Sequence, residues 1–93
     1  MPAPKLRYVR CRAVREERVD DALFLIDQEG RAIHMLEGPS SGLWKMLAEP
    51  TSAAEAKSLL KAAFPAVPPK RIARDVEVLF ADLAEAGLIQ HAR

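Results

Sequence analysis

The chain has 93 residues, of which 49% are hydrophobic and 29% charged, enough apolar material for one small core and too little length for most enzymes. Lys plus Arg number 14 and Asp plus Glu 13, so the formal charge of +1 gives no strong global pull toward nucleic acid or an anionic membrane. Cys11 is the single cysteine, which excludes an internal disulfide and a CxxC knuckle. With only two isolated histidines, His34 and His91, no metal set is expected. The first residues lack the apolar core of a secretory signal, and no apolar run approaches the roughly 18 residues of a membrane span. The expectation is a single domain over residues 1–93 with its core at about 8–90, working in the reducing cytoplasm with no membrane contact.

Taken in order, Tyr8 to Val14 alternates in the manner of a half-buried strand and reads as strand one. Ala22-Leu23-Phe24-Leu25-Ile26 is a short apolar run bounded by aspartates. The polar turn Gln28-Glu29-Gly30 separates it from Arg31-Ala32-Ile33-His34-Met35-Leu36, so these two segments read as strands two and three of a hairpin. On strand three, Ile33 and Met35 fall on one face and Ala32, His34 and Leu36 on the other.

Past Gly38 the pattern becomes helical. Pro39 opens helix one, which carries Leu43, Trp44 and Leu47 and is ended by Pro50. Ser52 and Glu55 match a capping box, so helix two runs from there to about Phe64 with Ala56, Leu59, Leu60 and Ala63 inward. Pro68 and Pro69 open helix three, whose apolar stripe is Ile72, Val76, Leu79, Phe80 and Leu83; Gly87 terminates it. Beside that stripe run Arg71, Arg74, Asp75, Val78 and Asp82, with an expected Arg71–Asp75 pair. The fold class that results is α+β and winged helix-turn-helix-like, with a three-stranded antiparallel sheet followed by three helices.

No catalytic constellation can be assembled: neither histidine has a nucleophile motif nearby, Ser40-Ser41-Gly42 lacks a G-x-S-x-G frame, and the four glycines are scattered. The chain is therefore expected not to be an enzyme and to need no cofactor. Lys5, Arg7, Arg10, Arg12, Arg15 and Arg18 outweigh Glu16 and Glu17 by four charges, 6 minus 2. This invites an alternative reading as a small winged-helix DNA-binding protein. Against it, helix two offers Lys57 and Lys61 but no Arg, Asn or Gln for base edges, so nucleic-acid binding is not the main expectation. A protein-interaction module of a larger complex is a third reading.

Several pieces together resemble a known family. They are Leu23-Phe24-Leu25-Ile26-Asp27 with Gly30, then Leu36-Glu37-Gly38-Pro39-Ser40-Ser41-Gly42-Leu43-Trp44, then Ser52 with Glu55, Arg74-Asp75-Val76, and finally Leu79-Phe80-Ala81-Asp82-Leu83-Ala84-Glu85-Ala86-Gly87-Leu88-Ile89. Their order and spacing, over about residues 10 to 90, resemble the PqqD family, the leader-peptide recognition domains of ribosomally synthesised natural-product pathways. Glu37 stands where the family commonly has asparagine, and Gly38 loosens the turn into helix one. The resemblance implies a non-catalytic chaperone or adaptor. It would bind a precursor's leader peptide as an added strand between strand three and helix three and present it to a modifying enzyme, such as a radical SAM protein or a leader peptidase. On this chain the implied peptide-binding residues are Arg31, Ile33, His34 and Met35 of strand three and Arg71, Arg74, Asp75, Val78 and Asp82 of helix three. The backbone of the strand would supply affinity and the charged residues would select a leader pattern.

Overall fold

The computed structural model describes residues 6–27, 29–30 and 33–92. Among these residues six strands and three helices follow one another as β1 (Arg7–Arg10), β2 (Arg15–Val19), β3 (Ala22–Ile26), β4 (Ile33–Leu36), α1 (Pro39–Met46), β5 (Thr51–Ser52), α2 (Ala53–Ala63), α3 (Pro69–Glu85) and β6 (Ile89–His91).

The three-stranded antiparallel sheet ahead of the helices is present, in the order β2-β3-β4, but its first strand is not the one expected. The segment read as strand one, Tyr8 to Val14, divides. Arg7–Arg10 forms β1, the middle of a separate sheet of order β5-β1-β6, and residues 11–14 turn the chain into β2. β2, with the sequence Arg15-Glu16-Glu17-Arg18-Val19, is exposed throughout, so no apolar alternation announces it. It is a strand because β3 pairs with it along its whole length, from Arg15 opposite Ile26 to Val19 opposite Ala22. Asp20, at φ 54, supplies the left-handed residue of the connecting turn, a conformation aspartate tolerates better than most.

The hairpin of β3 and β4 has the expected partners, with Leu23 opposite Leu36, Phe24 opposite Met35 and Leu25 opposite His34. Leu23, Leu25 and Leu36 are buried, which fixes the core face of the sheet and with it the register. The strand expected to start at Arg31 is seen from Ile33; Arg31 and Ala32 lie outside the described residues.

The helices close over that face. In α1, Leu43 and Trp44 are fully buried, as is Leu47 just beyond its last turn, each of the leucines contributing about 2 kcal/mol by burial. Thr51 Oγ1 donates to the carbonyls of Met46 and Glu49, both at 2.9 Å, and so closes the turn out of α1. The capping box of α2 is complete: Glu55 N–H donates to Ser52 Oγ at 3.1 Å and Ser52 N–H to Glu55 Oε1 at 2.9 Å. Ala56 and Leu60 face inward as expected, whereas Leu59 is 59% exposed and Ala63 is exposed. An 11-residue helix bordered by α1 and α3 has only a narrow inner stripe, and Leu60 fills it.

In α3, Ile72, Val76, Phe80 and Leu83 are buried, while Leu79 is only half-buried at the edge of the stripe. The helix ends with Gly87 N–H donating to Ala84 O and Leu88 N–H to Leu83 O, the pair of bonds that a left-handed residue at Gly87 (φ 76) makes possible. Tyr8 packs edge-on against Phe80, ring centroids 5.3 Å apart, and lies 4.6 Å from the His91 ring across the β1–β6 pair. The second small sheet is thereby pinned to α3.

Candidate functional site

Strand β4 pairs with β3 on one side and, among the described residues, terminates its sheet on the other. A terminal strand carries backbone N–H and C=O groups directed away from its sheet, a template for one more strand. Alternation along β4 sorts its side chains. His34, half-buried, and Leu36, buried, share the core face with Leu23 and Leu25. Met35 lies beside Phe24 on the opposite face and is 58% exposed. Met35 is thus displayed away from the helices. Ile33 pairs with Ile26 in the ladder; its side chain, and the whole of Arg31, lie outside the described residues.

Leu36 leads through Glu37 and Gly38 straight into α1, and the start of α1 faces α3. Between them is an open depression of about 330 Å³, lined by Ser40 from α1 and by Arg74, Asp75, Val78, Leu79 and Asp82 from α3. Four of the five helix-three residues expected at the site, Arg74, Asp75, Val78 and Asp82, therefore meet in one cleft. The fifth, Arg71, sits one turn earlier, its Nε 3.7 Å from Asp75 Oδ2, the ion pair expected from the i, i+4 spacing. Both partners of that pair are well exposed, so it contributes little to stability. Among the described residues Arg74 and Asp82 have no ion partner.

Two lining residues escaped the sequence reading. Leu79, read as core, is half-buried and gives the cleft part of its apolar lining. Ser40 is the residue directly after the helix-opening proline, and only the approach of α1 to α3 puts it on the rim. The signal for Leu79 was its place at the margin of the stripe, one position from Val78.

Two arginines of the basic N-terminal cluster are engaged by carboxylates. Arg7 Nε donates to Glu55 Oε1 at 3.0 Å. Arg10 Nη1 donates to Glu16 at 3.3 Å while its guanidinium lies 5.5 Å from the centre of the Trp44 ring. On α2, Lys57 Nζ is bound to Glu77 of α3 at 2.9 Å. The two histidines are on different sheets, His34 in β4 and His91 in β6 against Tyr8. Among the described residues no group of three or more His, Cys, Asp and Glu is placed to hold a metal ion, and no helix is long and apolar enough to cross a membrane.

The family model for coenzyme PQQ synthesis protein D (PqqD) matches residues 22–89, from the start of β3 to the first residue of β6. The chain belongs to the PqqD family. The matched span includes β4, α1 and α3, hence the whole cleft. Among solved structures, TbiB1 in complex with the TbiA(beta) leader peptide matches this PqqD-family chain with a TM-score of 0.72 over 91% of this chain and 98% of that one, at 21% identity. At that identity the two share the fold, and the α+β class expected from the sequence holds. No curated protein sequence matches the chain.

Proposed function

We propose that this PqqD-family protein is a non-catalytic adaptor that binds the leader segment of a precursor peptide as an added strand along β4, with α3 as the second wall, and presents it to a modifying enzyme. The observation that carries the reading is the terminal position of β4 in its sheet, in a chain whose structural relative TbiB1 was solved with a leader peptide bound. Backbone hydrogen bonds to β4 supply affinity without demanding a particular sequence, and the cleft formed by Ser40, Val78, Leu79 and the charged residues of α3 supplies selection. A radical SAM enzyme or a leader peptidase is the kind of partner that would take the presented peptide.

The DNA-binding alternative has no support from the family or structural match, and Arg7, Arg10 and Lys57 are each engaged with a carboxylate. Titrating a synthetic leader peptide into isotope-labelled protein tests the proposal. Amide shifts are expected at residues 33–36 and 70–83. Shifts confined to residues 7–18 would overturn it.

A further inference from the structure

Resting on the reading of a strand added beside β4, we infer that the bound peptide carries an acidic, an apolar and a basic residue at alternate positions, matched to Arg74, Val78 and Asp82. These three stand at i, i+4 and i+8 and line the same cleft. Four residues of helix advance about 6.0 Å. Two residues of extended peptide, which bring the next side chain to the same face, advance about 6.6 Å. The two repeats are thus nearly commensurate. Over the three positions the mismatch accumulates to about 1.2 Å, within the reach of a flexible arginine side chain. A row of i+4 residues inclines about 26° to its helix axis, so the peptide would follow α3 obliquely.

The charges support this occupant. Arg71 and Asp75, in the neighbouring row, are paired with each other, and Glu77 is taken by Lys57. Of the charges that line the cleft, Arg74 and Asp82 are left without an ion partner among the described residues, two turns and about 12 Å apart, too far to neutralise one another across water at physiological salt. Val78 sits between them, 54% exposed and apolar, outside the core cluster. What sets Val78 apart from the other exposed apolar side chains is its place in the cleft between two unpaired charges, where an apolar peptide side chain laid over it would be covered. The intervening peptide residues point to the other face of the enlarged sheet, the side of Met35 and Phe24, so the motif is acidic-x-apolar-x-basic, read along the chain in whichever sense the strand lies.

Three synthetic peptides on one threonine-rich host test the inference, with the cores Glu-Thr-Leu-Thr-Lys, Lys-Thr-Leu-Thr-Glu and Gln-Thr-Leu-Thr-Gln. One charged order should bind about fivefold more tightly than the neutral peptide and the other less tightly than it, as exposed ion pairs permit. The preference should invert in the double variant Arg74→Glu, Asp82→Lys. Equal affinities within twofold, or a preference that the double variant leaves unchanged, would overturn the motif. In that case amide shifts in β4 with the neutral peptide would leave strand addition standing, and their absence with all three would overturn strand addition as well.

Discussion

Arg7 and Glu55, 48 residues apart in sequence, meet through two hydrogen bonds, from Nε to Oε1 at 3.0 Å and from Nη2 to Oε2 at 3.3 Å. The Oε1 atom also accepts from Ser52 N–H, so one carboxylate both caps α2 and fastens it to β1. Ser52 is itself the ladder partner of Arg7. The junction of sheet and helix is therefore closed at Arg7 twice, by backbone pairing with Ser52 and by side-chain pairing with Glu55. Local helix initiation and long-range docking share a group.

The Glu55 carboxyl is lowered from 4.5 to about 2, first by the side-chain hydrogen bond from Arg7 and then by the backbone hydrogen bond from Ser52. A carboxyl whose folded value lies below its unfolded value stabilises the fold above the unfolded pKa and loses that contribution as pH falls through the folded one. Urea midpoints should therefore decline between about pH 4.5 and pH 2 in the natural protein and more gently in Glu55→Gln. Parallel declines would exclude Glu55 as the titrating group. Because the pair is on the surface, the difference should shrink in high salt.

Removing the other half of the cap is simpler. Ser52→Ala leaves the N–H of Glu55 without its acceptor and should cost about 1 kcal/mol in chemical denaturation.

The two faces of α3 should respond in opposite ways. Leu83→Ala empties a fully buried site and should cost about 2–5 kcal/mol. Val78→Asp, on the exposed face, should change stability by about 0.5 kcal/mol or less yet weaken leader binding, measured by calorimetry on the same preparation. A Val78→Asp variant that binds normally would remove this residue from the cleft's function.

Gly87→Ala isolates backbone strain. An added Cβ meets nothing within 4 Å, so any loss must come from the left-handed φ of 76. A destabilisation of about 1–2 kcal/mol is expected, with near-UV dichroism unchanged.

Strand addition has its own chemical test. N-methylating the amides of a bound leader peptide one at a time should abolish binding at every second position across the β4 contact and be tolerated between them, because only alternate N–H groups of an added strand point at its partner. Uniform tolerance would show a peptide held by side chains alone.

What the sequence disclosed was the structure encoded by neighbours along the chain. The stripe of α3, the capping box at Ser52 and Glu55, and the stop at Gly87 are each set within a turn or two of helix, and each is where its residues imply. β2 was illegible because Arg15-Glu16-Glu17-Arg18-Val19 is exposed on both faces and is ordered only by the ladder to β3. Thr51–Ser52 and Ile89–His91 are too short to carry a pattern, and they exist as strands because β1 lies between them. Leu59 and Leu60 are equally apolar, and only the position of α3 decides which is covered. The candidate site was half legible on the same principle: exposed positions of α3 follow from its period, while the nearness of Ser40 follows from how two helices meet.

The charged strand β2 bears on how this protein behaves in a crowd. Its sheet has two ends, and they are not alike. At one, Arg15 to Arg18 sets four consecutive ionised side chains along the border, with Glu16 further tethered to Arg10. An incoming strand there would have to desolvate those charges, a familiar barrier to edge-to-edge growth. The end formed by β4 presents His34 and Met35 instead. Ladder growth by stacking copies needs a receptive border at each end of every copy. A sheet with one forbidding border cannot propagate, so a strand added beside β4 would end the ladder there rather than seed a fibre.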